Sequence, residues 1–153
     1  MADLTNAGVF SSETDTWETP DDVFAPLHAE FGFDLDAAAS DDNAKCERYF
    51  TPADDALARD WTGTVWCNPP YGRQIGRWVE KGYVEAQAGA TVVMLIPART
   101  DTAYWHDFVM KANEVRFRRG RIYFEMNGKP VGRAPFPSAV IVFRNALEAD
   151  DGA

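Results

Sequence analysis

The sequence predicts an α/β domain built round a mostly parallel central sheet. Three observations carry this reading. Ala90-Thr91-Val92-Val93-Met94-Leu95-Ile96 is a continuous apolar run, of the kind found in strands buried on both faces. Ahead of it, residues 73–87 place Ile75, Trp78, Val79, Tyr83 and Ala86 on roughly one helical face, so strand and helix alternate. The short run Thr64-Val65-Trp66-Cys67 ends in Asn68-Pro69-Pro70-Tyr71, and ligand sites of open α/β sheets lie at the carboxyl ends of strands.

Taken in order, residues 1–16 are polar and without periodicity, and are expected to be a flexible arm. Thr19 reads as an N-cap with Pro20 at the first helical position and Asp21 and Asp22 in the first turn; Pro26 sits late enough to kink this helix. Phe31-Gly32-Phe33-Asp34-Leu35-Asp36 alternates as a first strand and runs into Ala37-Ala38-Ala39, whose small side chains admit a close ligand. Residues 40–60 are a compressed connection holding a short helix and a short strand, broken at Pro52. After the strand 64–67 and the helix 73–87, Gly89 ends the helix and Pro97 ends the strand 90–96. Residues 104–110 form a helix, 114–117 and 121–124 two short strands, 128–135 a loop, and 138–143 the last strand, before an acidic tail at 145–153.

At 153 residues the chain is one compact domain, 17–144 between arm and tail, with no length left for a second large one, so recognition falls to loops. With 46% hydrophobic residues it is globular, and neither an eighteen-residue apolar run nor a secretory leader pattern occurs, so a cytoplasmic protein is expected. Cys46, Cys67, His28 and His106 are its only cysteines and histidines, a set too sparse for a disulfide framework or a metal site. The net charge of −9 hides a strong asymmetry. Residues 1–60 carry 15 acidic and 3 basic side chains, whereas residues 111–133 carry 2 acidic and 7 basic. The sum alone looks wrong for a nucleic-acid protein, which usually shows a basic footprint, but one late segment is strongly cationic inside an acidic protein.

The loop at 68–71 carries the chemistry. Two prolines fix φ, remove two backbone donors and keep Asn68 extended. The Asn68 amide oxygen and the Pro69 carbonyl then stand as two acceptors side by side, with the Tyr71 ring as a stacking wall. That arrangement suits a planar group bearing an NH2. The lone pair of a nucleobase amine is delocalised into the ring; accepting both N–H bonds localises it, and a methyl donor held opposite supplies line of attack. No catalytic base is required, in keeping with the lack of a His or reactive Cys at the motif.

With these residues in view, the chain resembles the phage-type, Dam-like DNA adenine-N6 methyltransferases over about residues 17–143. The resemblance runs through Trp17-Glu18-Thr19-Pro20, Phe33-Asp34-Leu35-Asp36-Ala37-Ala38-Ala39, Asn43, Cys46, Asp60-Trp61, Trp66 to Gly72, Ile96 to Thr102, and Gly120-Arg121-Ile122-Tyr123-Phe124. It implies a Rossmann-like fold, S-adenosylmethionine as methyl donor, and adenine in DNA as acceptor. By position it implies a catalytic loop of Asn68, Pro69, Pro70 and Tyr71, with Tyr71 stacking on a flipped adenine. It also implies a donor site formed by Trp17, Thr19, Pro20, Asp34, Asp36, Ala37 and Asp55. A glycine-rich turn is usual after the first strand of a methyl-donor site, and Ala37-Ala38-Ala39 stands in its place.

For DNA, Arg99 and Thr100 lie on the loop after the strand 90–96, beside Asn68, and Arg118, Arg119 and Arg121 belong to the cationic segment, with Arg116, Lys129 and Arg133 nearby. If residues 114–124 form a hairpin, these arginines project toward phosphates. Two other readings stay open at this point: methylation of a protein glutamine amide, which is also a planar NH2, and a catalytically silent DNA-binding module of the same fold.

Overall fold

A computed structural model describes residues 17–145. The arm at 1–16 and the tail beyond Asn145 lie outside the described residues. Helix α1 (Asp21–Phe31) is followed by strands β1 (Leu35–Asp36), β2 (Arg48–Tyr49) and β3 (Thr64–Cys67), helix α2 (Ile75–Gln87), strand β4 (Thr91–Pro97), helix α3 (Ala103–Asp107), and strands β5 (Glu114–Phe117), β6 (Tyr123–Met126), β7 (Lys129–Arg133) and β8 (Ser138–Phe143). Six strands form one sheet in the order β2-β1-β3-β4-β8-β5, and β6 pairs with β7 in a separate hairpin. The four strands from β2 to β4 are parallel; β8 runs antiparallel between β4 and β5. This is the mixed α/β architecture with a mostly parallel sheet that the sequence predicts.

Strand β4 shows why its sequence is apolar throughout. Val92, Met94 and Ile96 enter a core with Val79 and Ala86 of α2 and Trp105 of α3, while Val93 and Leu95 enter another with Phe24, Trp66 and Phe124. Both faces are covered from Val92 to Ile96, so none of these five positions is left for a polar residue. On the second face, Phe24 of α1 meets Trp66 edge-on at 5.3 Å between ring centroids and fixes the helix over β3.

Three expectations shift. Helix α1 passes through Pro26 and continues to Phe31, so the first strand shrinks to Leu35–Asp36. Pro20, not Thr19, takes the N-cap position, with no side-chain cap. Residues 114–124 are not a hairpin: β5 pairs with β8, and the hairpin is β6–β7, whose second strand occupies the stretch 128–135 expected to be a loop. Its tip, Asn127-Gly128, has φ of 55° and 78°, the left-handed pair that a two-residue hairpin turn demands.

Candidate active site

Strand β1 continues to β2 on one side, while β3 and β4 build outward on the other, so the chain changes direction between β1 and β3. A cleft of about 620 Å³ opens at the carboxyl ends of these strands, lined among others by Trp17, Ala37, Asp55, Asn68 and Trp78. Open α/β sheets bind ligands at such switch points because flanking loops diverge there and leave a crevice. The volume falls within the range of small-molecule sites.

Asn68 is held by two hydrogen bonds at this cleft. Its Nδ2 donates to the Trp17 carbonyl at 2.6 Å and to Thr19 Oγ1 at 2.9 Å. A carbonyl only accepts, so the contact with Trp17 fixes which end of the amide is nitrogen. Asn68 Oδ1 is buried and has no hydrogen-bond partner. Leaving a buried acceptor unpaired costs about 1–3 kcal/mol, and native structures retain such atoms where a ligand completes them. Thr19, whose hydroxyl the sequence suggests for helix capping, uses it on Asn68.

Tyr71 is pinned rather than free. Its hydroxyl donates to the Leu95 carbonyl at 2.9 Å, and its ring stands edge-on to Phe124 and Phe136 at 5.8 and 5.6 Å. Burial holds the phenol well above its ordinary pKa, so it stays neutral. Cys67, one residue before Asn68, is fully buried; burial first, and then the Asp36 carboxylate, hold its thiol protonated. Cys46 is pushed up to about 11 by burial, with Asp36 and Asp34 adding to the shift. Neither thiol is a nucleophile in this state.

The residues read as donor ligands divide. Trp17, Ala37 and Asp55 line the cleft. Asp55 holds φ of 55°, a strained value for a non-glycine residue, with its side chain exposed at the cleft. Trp61 secures the loop behind it, donating from Nε1 to the Ala56 carbonyl at 2.9 Å and from its amide to the buried Glu85. Asp34, Asp36, Thr19 and Pro20 are not among the lining residues. Asp34 sits at the opposite, amino end of the strands, accepting from the Thr64 amide at 2.9 Å and crowding Gly63, where a Cβ would lie 2.5 Å from its Oδ2. Asp36 is 2% exposed and accepts from the Ala38 and Lys45 amides at 3.2 and 3.0 Å, tying down the turn after β1. Alternation showed both aspartates near a strand end without showing which edge of the sheet each would reach.

The sequence profile of the DNA N-6-adenine-methyltransferase (Dam) family matches residues 7–151. The chain belongs to this family. It is 32% identical over 123 residues to the DNA N-6-adenine-methyltransferase of Escherichia phage T1, covering 78% of this chain and 51% of that protein. It is 30% identical over 146 residues to the DNA N-6-adenine-methyltransferase of Haemophilus phage HP1, covering 92% of this chain and 84% of the relative. A stretch of 65 residues is 45% identical to the putative methyltransferase YfdM of Escherichia coli K12, covering 37% of this chain and 71% of that one. The chain thus spans about half the length of the phage T1 relative and most of the phage HP1 relative.

In this member of the Dam family the cationic residues do not act as one patch. Arg116 binds Glu30 through two nitrogens at 2.7 and 2.6 Å, contacts Glu114 and lies over the Phe31 ring, so it fastens β5 to α1. Arg118 and Arg119 are different. Phe117 pairs with Ala139, and Ala139 with Ile96, so the two arginines leave the sheet at the edge that carries the Asn68 loop. Both are exposed. Arg121 is half-buried and reaches the Ala134 carbonyl at 3.3 Å. Arg99 lies over Phe136, which in turn touches Tyr71, and Thr100 holds His106 Nε2 through its carbonyl at 2.9 Å.

The sequence assigns no site role to three residues here. Phe117 and Tyr123 are large aromatics with 66% and 57% of their surface exposed on either side of Arg118 to Arg121. Glu18 pairs its backbone with Glu125, and its carboxylate accepts from the Asn127 and Gly128 amides at 3.2 and 3.1 Å. The Asn-Gly dipeptide was the signal that would have revealed the hairpin. Among the described residues no group of His, Cys, Asp or Glu is placed to hold a metal, and no helix is long and apolar enough to cross a membrane.

Proposed function

We propose that this protein transfers the methyl group of S-adenosylmethionine to N6 of an adenine flipped out of DNA, on a Rossmann-like fold, in the cytoplasm of the host cell. The observation that carries the reading is the Asn68 amide: both its hydrogens are engaged by protein, while its buried oxygen has no partner. An acceptor held in that state suits a donor arriving from a substrate, and the exocyclic amine of adenine supplies one. The Pro69 carbonyl is the second acceptor, and the pinned Tyr71 ring is the wall against which the extruded base stacks.

The cleft fits this methyl donor better than it fits a dinucleotide. A dinucleotide site uses free amides after the first strand to hold pyrophosphate. Here the four amides from Ala37 to Ser40 are all consumed, donating to the Trp66 carbonyl, Asp36 Oδ1, the Phe50 carbonyl and Asn43 Oδ1. The turn offers no anion cradle, and S-adenosylmethionine carries no phosphate. Asp55, whose carboxylate makes no hydrogen bond or ion pair among the described residues, suits ribose hydroxyls; Phe50 and Trp78 supply apolar wall, and Arg73 at the rim suits a carboxylate. When bound, the donor supplies an electrophilic methyl group on a sulfonium.

Asn68 Oδ1 and the Pro69 carbonyl accept from the target amine and make its lone pair available. The neutral Cys67 and Tyr71 take no proton, so the excess proton passes from the methylated amine to water. Arg118 and Arg119 hold flanking phosphates, with Arg99, Thr100 and Arg121 beside them, and Phe117 and Tyr123 offer flat surfaces to neighbouring bases. The test is incubation with methyl-labelled S-adenosylmethionine and plasmid DNA, followed by nucleoside analysis. Label in N6-methyladenine is expected; donor binding without label in DNA overturns the reading.

A further inference from the structure

We propose that Thr19 is a positioning residue for the catalytic amide rather than a ligand of the methyl donor, and that Glu18 fastens it to the β6–β7 hairpin. The inference rests on the methyl-transfer reading above and deepens it. An asparagine amide presents an acceptor and a donor of nearly the same shape. If the group rotated by half a turn, Nδ2 would face the target amine, N–H against N–H, and the lone pair would stay in the ring.

Residues 17–19 prevent that rotation. The Trp17 carbonyl at 2.6 Å accepts only, and Thr19 Oγ1 at 2.9 Å takes the second hydrogen, so the amide nitrogen is saturated in one orientation. Hydrogen bonds donated from the nitrogen also polarise the amide and make Oδ1 a stronger acceptor. Thr19 is 2% exposed and is not among the residues lining the cleft, so it is poorly placed to touch a donor molecule.

The segment is itself braced. Glu18 exchanges backbone hydrogen bonds with Glu125 at 2.9 and 3.0 Å, and its carboxylate receives the Asn127 and Gly128 amides at the hairpin tip. The same hairpin carries Tyr123, Lys129 and Arg133 toward solvent. The surface read as DNA-facing and the catalytic amide are thus joined through three consecutive residues.

Thr19→Val keeps the shape and removes the acceptor; Thr19→Ser restores it. We expect Thr19→Val to lower kcat about tenfold, the effect of losing one orienting hydrogen bond, with KM for S-adenosylmethionine and DNA within about twofold of wild type. Thr19→Ser should recover most of that loss. Glu18→Gln, which weakens the brace without altering the core, should lower kcat in the same way. The side-chain NH2 resonances of Asn68 give a readout independent of turnover: slow hydrogen exchange in wild type and Thr19→Ser, fast exchange in Thr19→Val. A fall in donor affinity with kcat preserved, equal impairment of the Val and Ser variants, or an unchanged Asn68 resonance in Thr19→Val overturns the proposal. If wild-type protein places no label in DNA, the reaction assignment fails, and the resonances still decide the role of Thr19.

Discussion

Asn68→Ala separates function from stability in a way the structure quantifies. The substitution removes two hydrogen bonds donated by Nδ2, each worth about 1 kcal/mol net. It also removes the buried, unpartnered Oδ1, whose desolvation costs the folded state about 1–3 kcal/mol. The two effects oppose each other, but alanine also takes the donor from the buried Thr19 hydroxyl, at about 1–3 kcal/mol, so the net change is a destabilisation of no more than about 3 kcal/mol. For a domain of this size each kcal/mol is a shift in Tm of about 2–4 °C. The effect on transfer is one-sided, because nothing replaces the acceptor at the amine: removal of one such preorganised group typically costs about 10²–10³ in rate. Urea unfolding and single-turnover methyl transfer on the same preparation check both halves, with donor affinity measured alongside. Destabilisation beyond about 3 kcal/mol would mean that Oδ1 is satisfied within the protein. Transfer within tenfold of wild type, or a loss of donor affinity that matches the loss of rate, would refute the acceptor role itself.

Replacing Arg118 and Arg119 together by Gln should flatten the plot of log affinity for DNA against log salt by about 1.8, two phosphate contacts at about 0.9 each, and leave donor affinity unchanged. Arg116→Gln is the control: its guanidinium is engaged by Glu30 and Glu114, so the salt slope should not move. Phe117→Ala should weaken DNA binding about tenfold, the worth of one base-stacking contact, since the ring stacks on Trp105 at 6.1 Å on one side and is largely exposed otherwise; unchanged affinity would remove Phe117 from the interface. Burial raises the Asp36 carboxyl above its ordinary value against the opposing pull of the Lys45 and Ala38 amides. The fold therefore favours the protonated form, and that contribution, complete below the unfolded value of about 3.9, is lost as pH rises through the raised one. The stability of wild type relative to Asp36→Asn should fall as pH rises above about 4, and a difference that grows with pH would contradict the burial argument.

What the sequence made legible follows how local the determining physics is. Strand β4 was readable because five consecutive positions, Val92 to Ile96, alternate between two cores, and Asn68-Pro69-Pro70-Tyr71 because proline restricts the backbone whatever surrounds it. The edge on which Asp34 acts was not readable, because it depends on where the helix before it stops. Gly32 caps α1 in the left-handed region, the strand starts only at Leu35, and Asp34 is left at the amino end against Thr64. Arg116 was grouped with its neighbours by charge; its partner Glu30 is 86 residues away in sequence and meets it only through the pairing of β5 with β8. The hairpin had a local signal in Asn127-Gly128, masked by Pro130, which sits in an exposed two-stranded ribbon where a missing amide is tolerated.

The alanine turn shows how the polar groups of the cleft are allocated. None of Ala37, Ala38 and Ala39 has positive φ, so the path after β1 needs no glycine. Glycine-rich turns leave backbone amides pointing at a ligand, and a ligand with phosphates rewards that arrangement. In this chain the Asp36 carboxylate, the Phe50 carbonyl and the Asn43 side chain take the amides instead, and the small alanine side chains keep the floor open. The donors of the turn are closed off, while acceptors remain at Asp55 and at Asn68 Oδ1. A cleft allocated in that way offers acceptors to hydroxyls and to an amine, and the turn's own amides have nothing left for a phosphate. The departure from glycine at 37–39 and the orphaned oxygen at 68 are therefore one property of the site, seen at the ends of two neighbouring strands.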